Sequence, residues 1–183
     1  LSATPIPRTL QMSLTGVKDL SLISTPPIDR LAVRNFVMQF DNVVVKEAIL
    51  REYNRGGKSF FVVPRIRDLE EMAPKLKELF PDLKIEVANG QMPANQIEKI
   101  ITDFIDGKID VLLSTTIIES GLDIANANSI IVYKAEAFGM AQLYQLRGRV
   151  GRAKIRGYAY FMTSKAKIAD DAKKKLEIMQ NLD

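Results

Sequence analysis

The stretch KIEVANGQMPANQIEKIITDFIDGKIDVLLS, residues 84–114, decides the fold class of this chain. It begins and ends with short β-rich runs, Lys84–Ala88 and Ile109–Ser114. Between these runs, Pro93 opens a segment in which isoleucine and phenylalanine recur at helical spacing, which is typical of an amphipathic helix with one buried face. A strand, a helix and a second strand in this order indicate two parallel strands joined by a crossover helix.

The same alternation continues on both sides of this stretch. Asp41 is a candidate N-cap for a helix that Gly56-Gly57 ends, and Pro74 lies inside a second helical pattern, where we expect a kink or a late start. Ser164 is a candidate N-cap for a last helix. The pattern predicts an α/β fold in which helices cover a parallel sheet. The other β-rich runs are Leu31–Phe40, Phe60–Val63, Ser129–Tyr133 and Gly157–Met162.

Composition limits the possible chemistry. The chain has 183 residues, 46% of them hydrophobic, which is ordinary for one domain with a core. It contains no Cys, His or Trp, so disulfides, thiolate nucleophiles, Cys/His zinc sites and histidine acid–base catalysis are excluded. No apolar run approaches the roughly 20 residues that cross a bilayer, and no leader is present, so we expect a cytoplasmic protein without a membrane partner. Because the chain begins at Leu1 rather than Met, we expect a piece of a longer protein.

Positive charge is concentrated in the last quarter of the chain. Residues 141–183 hold ten Lys and Arg residues against four acidic ones. This excess favours a site for phosphate-bearing ligands, either a nucleotide or a nucleic-acid backbone. The alternative is a solvated, lysine-rich helix face, which we favour for Lys173–Lys175 taken alone.

The segment GGKS, residues 56–59, resembles the tail of a phosphate-binding P-loop but lacks two of its requirements. Glu52 stands where the first P-loop glycine is needed, and the predicted order is helix, glycines, strand rather than strand, loop, helix. We therefore interpret the segment as a helix end and turn, and no other glycine-rich loop in the sequence could bind a triphosphate by itself.

The strongest motif is QLRGRVGR, residues 145–152. If its start is helical, Val150 and the preceding leucines face the sheet, while Gln145 and Arg149 share another face with Gln142. The glycines that flank Arg149 allow close approach to a ligand, and a guanidinium group matches phosphate oxygens. The pattern thus favours an arginine finger at a phosphate over a solvated basic turn.

This string is similar to motif VI of the superfamily 2 helicases and translocases. Four further segments resemble other motifs of that superfamily in the same order, and we identify the chain as a member. The Ser2–Thr9 segment narrows the resemblance to two bacterial branches, one that couples transcription to repair and one that remodels replication forks; Asp19–Pro27 is closer to the first. The segments are Ser2-Ala3-Thr4 for motif III, Phe60–Ile66 for motif IV, Asn89–Met92 for motif IVa and Leu113–Ile124 for motif V.

The resemblance implies the second lobe of a two-lobed motor, a three-layer RecA-like parallel sheet of the P-loop NTPase type with helices on both faces. Residues 1–28 would be a motif III remnant and interlobe linker, 29–163 the helicase C-terminal lobe, and 164–183 the start of a translocation helical hairpin. The P-loop and the Mg²⁺-binding Asp-Glu box would belong to the first lobe. The chain alone is therefore expected to be an inactive part of an ATP hydrolase.

The resemblance also implies roles for single residues. Arg149 and Arg152 would reach the β- and γ-phosphates, and Gln145 would organise the same edge. Residues that would border the nucleotide are Gly121, Asp123 and Gly148. Those that would follow the phosphate backbone of one DNA strand, without reading bases, are Gly90, Gln91, Met92, Thr115 and Thr116.

The implied ligands and partners are those of the whole motor. They are ATP with Mg²⁺, double-stranded DNA, the first RecA-like lobe, and, through the full-length protein, RNA polymerase and excision-repair proteins. A fork-remodelling helicase lobe and a non-catalytic DNA-binding module remain alternatives. Phe138 either stacks on a base or packs in the core, and we favour packing.

Overall fold

A computed structural model describes residues 32–116, 127–151 and 155–182 of the chain. The described strands are β1 (Arg34–Gln39), β2 (Lys58–Val62), β3 (Ile85–Ala88), β4 (Val111–Ser114), β5 (Ala127–Tyr133) and β6 (Tyr158–Thr163). The described helices are α1 (Asn42–Asn54), α2 (Ile66–Leu79), α3 (Ala94–Ile105), α4 (Met140–Arg147) and α5 (Asp170–Gln180), and a 3₁₀ turn covers Ala135–Ala137.

The six strands form one parallel sheet in the order β1-β6-β5-β2-β4-β3. Strands β2, β4 and β5 are buried along their whole length, as expected for parallel strands covered on both faces. Phe60 belongs to a core formed with α3, α4 and α5, whereas its neighbour Phe61 belongs to a core formed with α1 and α2. The structure thus confirms the predicted three-layer α/β architecture.

Local signals determine where α1 begins and ends. Oδ1 of Asp41 accepts hydrogen bonds from the backbone N–H groups of Val43, at 2.7 Å, and Val44, at 3.4 Å. After the helix, Gly56 has a φ of 72°, the left-handed region that glycine adopts without strain. The predicted N-cap and the predicted glycine turn are therefore confirmed.

The structure corrects two expectations about where helices begin. Of the kink or late start expected at Pro74, the late start is wrong, because helix α2 begins at Ile66 and runs through the proline. Both Pro74 and Glu70, whose carbonyl loses its helical partner, are exposed, so water can satisfy that carbonyl. Ser164 does not cap the last helix, which begins at Asp170. Its N–H and hydroxyl instead donate to the carboxylate of Glu136, a partner that tertiary packing supplies.

The parallel sheet has two chemically distinct edges. The carboxyl ends of the six strands lie along one edge and their amino ends along the opposite one, because all strands point the same way. Within the described ranges, none of the helices has the length and apolarity needed to span a membrane. The predicted domain boundary at residue 28 lies outside the described residues.

Candidate functional site

Two of the predicted DNA-contacting segments meet at the carboxyl edge. Strands β3 and β4 are neighbours, with Ala88 in register with Ser114. The N–H of Thr115 donates to the carbonyl of Ala88 at 3.4 Å. The segments that follow these strands, 89–92 and 115–116, therefore leave the sheet side by side, although 22 residues of sequence separate them.

The turn after β3 exposes part of its predicted set. The side-chain oxygen of Asn89 accepts from the N–H of Gln91 at 2.9 Å, and its carbonyl accepts from the N–H of Met92 at 3.2 Å. Gly90 and Gln91 are exposed, whereas the side chain of Met92 packs against the core. Thr115, after β4, is only 9% exposed.

The QLRGRVGR segment lies toward the amino edge. Gly139 is the N-cap of helix α4, and its N–H donates to Oε1 of Gln142 at 3.0 Å. Leu143, Leu146 and Val150 are completely buried, which confirms the predicted face that docks on the sheet. The other face is partly open, since the residues on it that were predicted to serve the nucleotide, Gln145, Gly148 and Arg149, are half-buried.

A close approach of two glycines closes the base of the loop between α4 and β6. Gly151 has a φ of 77°, and a Cβ added there would lie 2.5 Å from Cγ2 of Val33. A Cβ at Gly157 would lie 2.8 Å from the Cα of Gly151. We call this contact between Gly151, Gly157 and Val33 the neck. Arg149 lies two residues before Gly151, and its N–H donates to the carbonyl of Leu146 at 3.0 Å.

Arg147 has a structural position that the sequence pattern did not distinguish from that of Arg149. Its Nε donates to Oδ1 of Asn35 at 3.0 Å, and its Nη2 donates to the carbonyl of Leu182 at 3.2 Å. The amide of Asn35 donates to that same carbonyl at 2.6 Å. Arg147 therefore ties the end of α4 to β1 and to the end of α5.

The predicted residues Arg152, Gly121 and Asp123 lie outside the described residues. The structure brings together the remaining members of each predicted set, one set at each edge of the sheet. Phe138 is 2% exposed, which confirms that it packs in the core.

Sequence reasoning missed a buried carboxylate near the neck. Glu52 on α1 is completely buried, and its Oε2 accepts from the hydroxyl of Ser129 at 2.9 Å and from Nη2 of Arg55. A signal was present in the sequence, because position 52 continues the helical spacing of the apolar residues Val45 and Ile49.

A second missed pair lies at the carboxyl edge. Lys134, directly after β5, has a φ of 51°, and its ammonium group is 2.5 Å from Oδ1 of Asp68 in the first turn of α2. Asp68 is 2% exposed. The hydrogen bond that Lys134 donates to Asp68 raises the pKa of the lysine above its ordinary value.

The basic C-terminal segment serves two purposes. Lys173 and Lys174 are exposed, as expected for a solvated face. The same expectation is wrong for Lys175, which is half-buried and donates to the carbonyls of Glu136, at 3.1 Å, and Phe138. This lysine anchors α5 to the turn that precedes α4.

The residues present fit one part of a nucleotide site. The guanidinium of Arg149 and the amide of Gln145 are donors suited to phosphate oxygens. The structure confirms that GGKS is a turn from α1 into β2; burial lowers the pKa of Lys58, whose ammonium group donates to the carbonyl of Ile105 at 2.7 Å. Among the described residues, no group of three or more acidic side chains could hold a metal ion. The described residues thus offer hydrogen-bond donors for phosphate oxygens.

Comparison with known proteins identifies a family with this arrangement. The sequence model of the family described as "Helicase conserved C-terminal domain" matches residues 42–154. Transcription-repair-coupling factors from Rickettsia bellii and Rickettsia prowazekii are 56% and 55% identical over 99% of this chain, and that from Escherichia coli is 47% identical over 100%. The chain spans only 16% of the length of each of these relatives.

Solved structures support the same fold. The structure of RecG bound to a three-way DNA junction is similar to this chain with a TM-score of 0.78 and 32% identity, over 99% of this chain and 25% of that one. Dbp5 from S. cerevisiae, bound to RNA and ADP BeF3, has a TM-score of 0.66 at 20% identity, over 98% of this chain and 47% of that one. These similarities confirm the predicted RecA-like helicase lobe.

Proposed function

Because this chain belongs to the helicase conserved C-terminal domain family, we propose that it is the second motor lobe of an ATP-dependent double-stranded DNA translocase. The whole protein would couple transcription to nucleotide excision repair by displacing stalled RNA polymerase, and excision-repair proteins would be further partners. The observation that carries the proposal is the identity of 47–56% to transcription-repair-coupling factors along nearly the entire chain.

On the nucleotide side, we propose that this lobe completes a site begun by a first lobe. Bound ATP with Mg²⁺ would supply the phosphoryl group that is transferred to water, and the first lobe would hold most of it. Arg149 and Arg152 would donate to the oxygens on which charge develops, which is the action of an arginine finger. Gln145 would orient the same edge, while Gly148, Gly121 and Asp123 would border the nucleotide. The half-buried position of Arg149 and the hydrogen bond from its N–H to the carbonyl of Leu146 support this role.

On the nucleic-acid side, we propose that the carboxyl edge follows the phosphate backbone of one DNA strand. Gly90, Gln91 and Met92 would lie beside Thr115 and Thr116, supported by the register of β3 with β4. Since the side chain of Met92 packs inward, this residue would contribute its backbone. Contacts to phosphate oxygens carry no sequence information, so binding would be independent of sequence and weakened by salt.

We also propose the domain division that these roles require. Residues 1–28 would link the two lobes, 29–163 would form this lobe, and 164–183 would begin a helical hairpin that converts lobe movement into translocation. The protein would act in the bacterial cytoplasm, as its bacterial relatives suggest.

A lobe of a fork-remodelling helicase is the second candidate. The observation in its favour is the similarity to RecG at 32% identity and a TM-score of 0.78. A displacement assay with a stalled transcription complex and a branched-DNA unwinding assay distinguish the two. We expect the full-length protein to release RNA polymerase, and unwinding of the branched substrate without such release would favour the second candidate.

The finger assignment is tested by Arg149→Ala in the full-length protein. We expect DNA-stimulated ATP hydrolysis to fall by about 10³-fold or more, because the arginine stabilises charge that develops in the transition state. ATP binding is expected to change little, since the first lobe makes most ground-state contacts. Steady-state ATPase kinetics and equilibrium nucleotide binding measure the two effects.

Lys46→Ala is the control, because Lys46 is an exposed cation on α1. This variant should hydrolyse ATP at the rate of the unmodified protein. An Arg149→Ala protein with unchanged DNA-stimulated ATPase would show that the finger assignment is wrong.

A further inference from the structure

Near the amino edge, two buried side chains, Glu52 and Ser129, form a hydrogen-bond network with the partly exposed Arg55, and the proposed function does not use it. Oε2 of Glu52 accepts hydrogen bonds from the hydroxyl of Ser129, at 2.9 Å, and from Nη2 of Arg55. Glu52 is completely buried on α1, and Ser129 is completely buried on β5. Burying a carboxylate costs free energy unless the group is paired, whereas an apolar side chain at the same position would not carry that cost. The hydrogen bonds of Glu52 offset this cost and link α1 to the sheet.

The network reaches the loop that carries the proposed finger arginines. Nη2 of Arg55 also donates to the backbone carbonyl of Arg156 at 3.3 Å. Its guanidinium carbon lies 5.2 Å from the ring centre of Tyr158, the first residue of β6. Arg156 directly precedes Gly157, which is part of the neck. The carboxylate therefore orients an arginine that holds the chain where it returns from the loop.

The surroundings leave the carboxylate little freedom to move. A Cβ at Gly57 would overlap Oε1 of Glu52, so the backbone of the turn packs directly on the carboxylate. Ser129 on β5 is in register with Tyr158 on β6. The pairing of these two strands therefore keeps the Ser129 hydroxyl close to the point where the chain leaves the loop and enters β6. A rigid support of this kind transmits its position to what it contacts.

We propose that Glu52 is a positioning residue for Arg149, acting through Arg55, the Arg156 carbonyl and the neck. The proposal rests on the proposed function, because a loop needs an exact position only if its arginines meet a ligand. A finger that acts across a cleft is sensitive to small displacements, since misplacement by about 1 Å can lower a rate by about 10²-fold. Glu52 itself would touch neither nucleotide nor DNA.

The test is Glu52→Gln in the full-length protein, an isosteric change that removes the charge holding Arg55. We expect kcat for DNA-stimulated ATP hydrolysis to fall by about 10- to 10²-fold, with KM for ATP nearly unchanged. Ser129→Ala should produce a smaller fall in kcat in the same direction. Glu47→Gln, at an exposed position on the same helix, is the matched control and should leave kcat unchanged.

A double-mutant cycle separates positioning from simple support of the fold. If Glu52 acts through the arginine loop, the loss caused by Glu52→Gln should be much smaller in an Arg149→Ala background. Thermal unfolding of each variant shows whether the fold is intact. If the Glu52→Gln protein does not fold, the same measurements on Ser129→Ala, namely kcat with and without Arg149→Ala and the unfolding temperature, test the proposal instead.

Three results would overturn the inference. One is a lowered unfolding temperature with unchanged kcat, which identifies the network as support for the fold alone. A second is an undiminished loss in the Arg149→Ala background, which shows that Glu52 acts independently of the arginine. An effect of Arg149→Ala but none of Glu52→Gln or Ser129→Ala rejects this inference and leaves the proposed function standing.

Discussion

At the residue scale, the space around a glycine matters as much as its backbone conformation. Gly56 and Gly151 have φ values of 72° and 77°, both in the left-handed region. A Cβ at Gly56 would meet nothing within 4 Å, whereas one at Gly151 would lie 2.5 Å from Cγ2 of Val33. Gly56 therefore serves the turn alone, and Gly151 serves both the turn and the neck.

This difference predicts unequal effects of the same substitution. Gly56→Ala should lower the free energy of unfolding by about 1 kcal/mol through left-handed strain alone. Gly151→Ala should cost about 3 kcal/mol, because overlap with Val33 adds to the strain. Urea unfolding of both variants measures the difference. Adding Val33→Ala should recover part of the lost stability in the Gly151→Ala protein but none of it in the Gly56→Ala protein. Equal costs at the two glycines would contradict this account of the neck.

At the element scale, α5 is held to both ends of α4. Near the start of α4, Lys175 donates to the carbonyls of Glu136 and Phe138. At the end of α4, Arg147 and Asn35 donate to the carbonyl of Leu182, two residues beyond α5. The two helices are therefore pinned as one unit on the sheet face that they share.

Removal of one pin should loosen α5 selectively. Lys175→Met keeps much of the aliphatic side chain but leaves two carbonyls without their donor, at a cost of about 1–2 kcal/mol. We expect the backbone amides of α5 to exchange with solvent roughly tenfold faster, with little change in the central strands.

The neighbouring residue provides the comparison. Lys174→Met, at an exposed position, should leave amide exchange unchanged. Faster exchange in both variants, or in neither, would show that Lys175 does not anchor the helix.

At the scale of the whole molecule, ion pairs hold together elements that are distant in sequence. Lys134 follows β5 and pairs with Asp68 in the first turn of α2, 66 residues earlier. The pKa of Lys134 is raised, chiefly by this hydrogen bond. A group with a raised folded-state pKa contributes stability fully below its unfolded-state pKa and loses that contribution as pH rises through the folded-state value.

The pair therefore predicts a loss of stability at alkaline pH. An unfolded lysine titrates near about 10.4, so the contribution of Lys134 should be constant below that pH and should decline above it. Lys134→Met should cost about 1–3 kcal/mol at neutral pH by leaving Asp68 without its donor. Unfolding of both proteins from pH 7 to 12 tests this, since the difference between them should shrink above pH 10.4. A difference independent of pH would contradict the assigned role of the ion pair.

Prediction from the sequence succeeded where the signal is local and periodic. The spacing of apolar residues such as Ile101 and Phe104 predicted helix α3, and Asp41 and Gly56 predicted the two ends of α1. Each of these predictions depends on only a few neighbouring residues. Prediction failed at Ser164, whose partner is 28 residues away. It also did not identify Glu52 as a buried residue, since the position of a polar residue on an apolar helix face does not predict whether the fold supplies a hydrogen-bond partner for it.

The amino-acid sequence by itself determined the α/β class, the buried helix faces and the family, because periodicity and short ordered motifs are properties of the chain. Only the tertiary structure decided that Arg147 binds Asn35 and the carbonyl of Leu182, and which side chains stand at which edge of the sheet. The physical reason is that Arg147 and Arg149 have the same side chain, and the partners of Arg147 lie 112 and 35 residues away along the chain. Asn35 and Leu182 engage the first of them, while the second precedes a neck closed by Gly151 and Gly157.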